Sequence, residues 1–160
     1  MTSITSALQV WHPEFSAEKI QDILNISPQI SYSVGDEIVR PNGEKLGKKH
    51  RTSYLCYDIL PLQSELDLEG TIEKCNDFIS CNIKNKDLFK IINETGGSIS
   101  YYVAIYSQEH FAFNLAPKTI QCTGNLGIGI GVEIFTDWLE NNTSSVLSTH
   151  AGKNSTVFTS

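Results

Sequence analysis

No stretch of this 160-residue sequence approaches the roughly 18 consecutive apolar residues that a membrane-spanning helix needs. The opening run, Met1 to Trp11, has neither a basic start nor a long apolar core, so it does not read as a secretory leader. The expected setting is therefore cytoplasmic, with no membrane partner. Four cysteines stand at 56, 75, 81 and 122, and none forms a Cys-x-x-Cys pair. In a reducing compartment all four are expected as thiols, with Cys75 and Cys122 packing as small apolar groups. The sequons at Asn93, Asn141, Asn142 and Asn154 are then chance products of an Asn/Ser/Thr-rich chain.

Catalytic spacings are also lacking. There is no His-Glu-x-x-His helix, no Gly-x-Ser-x-Gly elbow and no second cluster of metal ligands. Neither Cys56 nor Cys81 has a histidine beside it in sequence to act as a base. The run Gly127-Ile128-Gly129-Ile130-Gly131 is glycine-rich but precedes an apolar strand, and no Lys-Ser/Thr follows. A phosphate cradle needs glycines between a strand and a helix N-terminus. Strand glycines more often admit a close neighbour, such as an aromatic ring or a helix. No cofactor and no metal are expected.

Positive charge is scarce. With 12 Lys and Arg against 18 Asp and Glu the net charge is −6, which argues against nucleic acid as a partner. The charge is uneven. Six acids and only Lys74 lie between Asp58 and Asp77, whereas Arg40, Lys45, Lys48, Lys49 and Arg51 stand close together with Glu44.

What is present is one domain's worth of patterned chain. Forty per cent of the residues are hydrophobic, enough for a core. Residues 6–11 alternate as a strand. Ser16 caps a helix that stops near Asn25, before Ser27-Pro28, with Phe15 and Ile20 spaced as a hydrophobic staple. Tyr32-Ser33-Val34 leads through a turn at Gly35-Asp36 into Glu37-Ile38-Val39, and Pro41-Asn42-Gly43 is a second turn signal. Residues 44–51 read as an exposed basic loop, and Ser53–Ile59 as a strand. Asp67 caps a helix whose Leu68, Ile72, Cys75 and Ile79 share a face. Asn85 caps another with Leu88, Ile91 and Ile92 inward, stopped by Gly96-Gly97. Ser98–Ser107 alternates, and Phe111, Phe113 and Leu115 suggest a hairpin partner across residues 108–110. Pro117 opens a short helix, and Ile128–Thr136 closes the pattern as a strand. The expected class is α+β, in the order β-α-β-β-α-α-β-β-α-β. Helices would cover one face of a mostly antiparallel sheet, with a hint of two ferredoxin-like halves. The domain spans 1–140, and 141–160 reads as a flexible polar tail.

Several of these features resemble a bacterial family catalogued only as a domain of unknown function, number 4279. They are the turn Leu24-Asn25-Ile26-Ser27-Pro28, the pair Gly35-Asp36, the strand with Tyr54, the aromatic strand with Tyr101 and Tyr102, Phe113, and the closing Gly131–Ile134. The resemblance covers roughly residues 6–138. Tyr54 stands where the family pattern suggests tryptophan. The resemblance implies no catalytic residue. Small acidic domains of this kind are similar to members of bacterial immunity repertoires encoded beside toxins.

Two sets of residues are candidates for function. Glu65, Glu69, Glu73 and Asp77 recur every four residues, so they line one helical ridge. Such a ridge is either a solvated face or a docking surface for a basic protein. Tyr102 and Tyr106 share the face of their strand opposite the core residues, where exposed tyrosines favour an interface. The leading expectation is a non-enzymatic binding protein, of an immunity type, that occludes a basic toxin partner. The alternative is a small-molecule or enzyme cleft near His12, Glu14 and Asp36. Of these, His12 and Glu14 read as a solvated strand end unless further ligands converge on them.

Overall fold

The structure, a computed structural model, describes residues 2–64, 67–84, 87–108, 110 and 112–136. Its elements run β1 (Ser3–His12), α1 (Ala17–Leu24), β2 (Ile30–Tyr32), β3 (Glu37–Val39), β4 (Lys45–Lys49) and β5 (Ser53–Gln63). There follow α2 (Leu68–Asn82), α3 (Asp87–Glu94), β6 (Ser98–Tyr106), α4 (Pro117–Asn125) and β7 (Gly129–Phe135). Five strands form one sheet in the order β2-β5-β1-β6-β7, and β3 and β4 pair apart as a ribbon. β1 is antiparallel to both β5 and β6, so the two parts of the chain join in one sheet. β6 and β7 are parallel. The architecture is α+β, mostly antiparallel.

Strand alternation sorts residues into two faces. Ile4, Leu8 and Val10 of β1, Leu55 and Tyr57 of β5, and Ile99, Tyr101, Val103 and Ile105 of β6 are buried on one of them. Against these pack Ala17, Ile20 and Leu24 of α1, Leu68, Ile72, Cys75 and Ile79 of α2, and Phe89 and Ile92 of α3, in one continuous cluster. Each fully buried Leu, Ile or Phe contributes about 1.5–3 kcal/mol relative to exposure, so this layer stabilises the fold. The helix ends are local. Ser16 Oγ accepts from Lys19 N, and Asn25 ends α1 in the left-handed conformation at φ 53°. Asp67 caps α2 by accepting from Gly70 N at 2.8 Å.

α4 joins this layer through polar groups. Tyr101 donates its hydroxyl to Asn76 Oδ1 at 3.0 Å, and Asn76 Nδ2 donates to Thr123 Oγ1 at 3.0 Å. Thr119 and Thr123 are buried there.

Some expectations are corrected. Residues 45–49 form β4, not a loop. A two-stranded ribbon has no buried face, so no apolar alternation marks it. It is held instead by the β3 pairing, by Lys45–Glu37 and Arg40–Glu44 ion pairs, and by a turn with Gly43 at φ 85°. Residues 112–116 are not a strand, and Phe113 is half exposed; Phe111 lies outside the described residues. Instead of a hairpin, β6-α4-β7 is a strand–helix–strand crossover, the connection a parallel pair requires. In α3 Ile92 is inward as expected, but its buried companion is Phe89, while Leu88 is half-buried and Ile91 exposed. Cys56 and Cys75 are buried, but Cys122 is exposed, like Cys81. Of the glycine run, Gly127 does have a close helical neighbour, since a methyl there would stand 2.8 Å from Asn93 Nδ2 of α3, whereas among the described residues a methyl at Gly129 or Gly131 would meet nothing nearer than 3.5 and 3.6 Å. The capping role of Asn85 and the 141–160 tail fall outside the described residues.

Candidate functional site

Because α1, α2 and α3 pack on one side of the sheet and α4 joins them through α2, no helix covers the other side among the described residues. The pleat directs Trp11 of β1, Tyr32 of β2, Tyr54 of β5, Tyr102 and Tyr106 of β6, and Phe135 of β7 to that open face. All six are half-buried. Five of them gather at two ends, with Tyr102 between, opposite Ala7. Trp11 and Tyr54 are cross-strand partners with ring centroids 5.2 Å apart, and Tyr32 lies 5.5 Å from Tyr54 and stacks on His50 at 3.6 Å. At the other end Tyr106 stacks on Phe135 at 5.0 Å. The middle is floored by small residues, Ala7, Cys56 and Ala104, which their neighbours bury.

Polar groups tie the face together. Burial pushes the Tyr54 phenol up, with Cys56 beside it adding to the shift and Gln9 opposing it. Tyr102 donates its hydroxyl to Glu133 Oε2. Burial, and then that carboxylate, push the Tyr102 phenol up, so it stays a donor. Burial likewise raises the Cys56 thiol, which makes it a poor nucleophile. The five strands of this sheet contain no lysine or arginine, while Asp58 is exposed and Glu133 half-buried on the open side. The face is therefore aromatic and weakly acidic.

A family model matches residues 2–136, from the start of β1 to the end of β7. The chain belongs to the family described as Domain of unknown function (DUF4279). No curated protein and no solved structure matches it. The sheet, its open face and the helical layer of this DUF4279 domain all lie within the matched span.

The residues singled out from the sequence of this domain fall on opposite sides of the sheet. Tyr102 and Tyr106 are on the open face. Glu69, Glu73 and Asp77 are on α2, across the core from them, and Glu65 lies outside the described residues. The ridge is not uniform. Glu69 turns to α4, where its Oε1 accepts from Ala116 N at 3.1 Å and Thr119 Oγ1 at 2.9 Å. Ala116 cannot cap α4 with its own side chain, so Glu69 supplies the acceptor from a neighbouring helix. Glu73 and Asp77 stay exposed and line a groove with Lys118 of α4 opposite.

His12 is fully buried, not solvated. Its Nδ1 accepts from Glu14 N at 3.0 Å and Phe15 N at 2.8 Å, and its Nε2 donates to Thr95 Oγ1 at 2.9 Å. The ring stacks on Phe15 at 3.9 Å. Gly97 makes room for it, since a methyl there would stand 2.7 Å from the ring. Burial lowers the His12 pKa, and Lys19 lowers it further against an opposing pull from Glu14. Both nitrogens are engaged, Nδ1 holding the β1–α1 turn and Nε2 tying it to Thr95 just after α3. Glu14 is exposed, and Asp36 accepts from Ser33 N in its own turn. Among the described residues no group of three or more His, Cys, Asp and Glu side chains is placed to hold a metal. No helix there is long and apolar enough to cross a membrane.

Sequence reasoning passed over Trp11, Tyr32, Tyr54, Phe135, Asp58 and Glu133. The signal for three of them was available: the alternation that buries Val10, Leu55 and Tyr57 sends Trp11, Tyr54 and Asp58 to the other side. The alternation of Ile128, Ile130, Val132 and Ile134 does the same for Glu133 and Phe135, whereas Tyr32 needed the pairing of β2 with β5.

Proposed function

We propose that this DUF4279 domain is a non-enzymatic binding protein that seats a basic protein partner on the open face of its sheet. In its immunity-type form it neutralises a basic toxin by occluding the toxin's working surface. The observation that carries this reading is the helix-free face with six half-buried aromatic rings, two carboxylates and no cation in its strands. Arginine or lysine side chains stack on such rings with about 0.5–2 kcal/mol each. Tyrosine and tryptophan also lose little conformational entropy on binding. Asp58 and Glu133 add complementary charge, which accelerates encounter and fixes register more than it adds affinity. The basic β3–β4 ribbon stands beside the Tyr32 end through His50 and repels a cationic partner there, so it restricts how the partner can sit.

A second reading is supported by the exposure of Glu73 and Asp77 on α2, which offer a basic partner the helical side. The two readings separate in one experiment. The partner is captured from the source cell, and its affinity is measured against Trp11→Ala/Tyr54→Ala and Glu73→Lys/Asp77→Lys variants, each checked for native circular dichroism. The open-face reading expects the aromatic pair to cost about tenfold or more and the charge-reversed pair to cost little. The opposite pattern transfers the interface to α2, and an unchanged affinity in both removes both surfaces.

A further inference from the structure

We infer that β7 is a self-association edge, pairing antiparallel with β7 of a second copy to make one continuous ten-stranded sheet. This inference does not depend on the reading of the open face.

The two edges of the sheet differ. β2 has three residues and leads into the ribbon, whereas β7 has seven and no strand beside its outer side among the described residues. Edge strands are ordinarily protected from pairing by proline, lysine or bulges. The sequence Gly-Ile-Gly-Val-Glu-Ile-Phe has no proline and no lysine, and β7 keeps an unbroken register with β6 from Gly129 to Phe135. Its direction of hydrogen bonding is known from one contact. The Phe135 carbonyl accepts from Ser107 N at 3.0 Å, so the Phe135 backbone groups face β6. Backbone groups alternate along a strand, so those of Ile130, Val132 and Ile134 face outward.

The second copy is the occupant because the strand is complementary to itself. A two-fold axis normal to the sheet leaves both helical layers on one side. It pairs each residue with one of the same parity, because directly opposed side chains share a face. With the axis at Val132 the pairs are Val132 with Val132, Ile130 with Ile134, Gly131 with Glu133, and Gly129 with Phe135. Every outward-facing backbone group is then bonded, giving about six hydrogen bonds from three hydrogen-bonded pairs. Ile134, 44% exposed, packs on Ile130 of the other copy. Phe135 covers a bare glycine backbone on the open face. The neighbouring registers are worse. An axis at Glu133 opposes two carboxylates directly, which destabilises, and one at Gly131 leaves Phe135 without a cross-strand partner.

The test is sedimentation velocity of the full chain from roughly 1 to roughly 100 µM, since a self-associating edge shows mass-action dependence on concentration. The expected result is a reversible dimer. In Val132→Pro, which removes the central outward N–H, and in Ile134→Lys, which places a charge at the seam, the dissociation constant should rise at least tenfold. The Ile134→Lys variant, on the exposed end of the strand, keeps the test valid if the proline variant fails to fold. A wild-type monomer across the range overturns the inference. So does a dimer unaffected by Ile134→Lys with native circular dichroism. A monomer that dimerises only once residues 137–160 are removed also overturns it, because the chain's own C-terminal segment is then the occupant.

Discussion

A neutral imidazole is built into the β1–α1 turn. His12 Nδ1 receives two backbone N–H groups, so a proton added there would face two donors as well as a buried environment. The folded chain therefore binds this proton less tightly than the unfolded chain does, whose value is 6.5. Stability from this group is full above that pH and is lost as pH falls below it, levelling off once the folded state is protonated too. Denaturant unfolding at stepped pH should show that decline, and His12→Gln should flatten it. The same substitution should cost about 1 kcal/mol at neutral pH, because it leaves two part-buried backbone donors short of an acceptor. Tyr57 presents the reverse case. Its hydroxyl is buried with no hydrogen-bond partner among the described residues. Tyr57→Phe removes an unsatisfied group without opening a cavity, so the midpoint of urea unfolding should stay level or rise, by up to about 1 kcal/mol in stability.

At the scale of elements, α4 depends on a neighbour. α1 and α2 carry their own N-caps in Ser16 and Asp67, but α4 begins at Ala116-Pro117 and borrows Glu69 from α2. Glu69→Ala should cost about 0.5–2 kcal/mol, as loss of a cap does, and Glu73→Ala four residues on should cost under about 0.5 kcal/mol. Equal costs at the two positions, measured by chemical denaturation, would remove the capping role. The crossover through α4 also decides that β7 lies parallel to β6.

For the whole molecule, charge and shape are segregated. Net charge is −6, the strands of the main sheet are free of lysine and arginine, and much of the basic charge is gathered on the β3–β4 ribbon. If the partner is basic, its association rate with this chain should fall steeply as ionic strength rises, while dissociation changes less. Stopped-flow rates at stepped salt measure this; a flat association rate counts against a charged partner. With helices on one side and aromatic rings on the other, the molecule offers two unlike surfaces across one sheet.

The sequence by itself determined the class, the one-sided core and most boundaries. Alternation in Ser98–Ser107, the i, i+3, i+4 spacing of Ile20, Ile23 and Leu24, the caps Ser16 and Asp67, and Pro117 are local signals, each with a local physical cause. Family membership was legible too, in the turn at Leu24–Pro28 and the closing Gly131–Ile134. The tertiary structure alone decided what depends on pairing. It turned residues 45–49 into a strand through contacts with β3, because a ribbon exposed on both faces leaves no apolar period. It buried His12 beneath Thr95, a residue 83 positions away. It directed Glu69 into α4, although its spacing matched that of the exposed Glu73 and Asp77. It also put the acids of α2 and the tyrosines of β6 on opposite sides of the sheet. Periodicity tells which residues of one element share a face; only packing tells which faces of different elements look the same way.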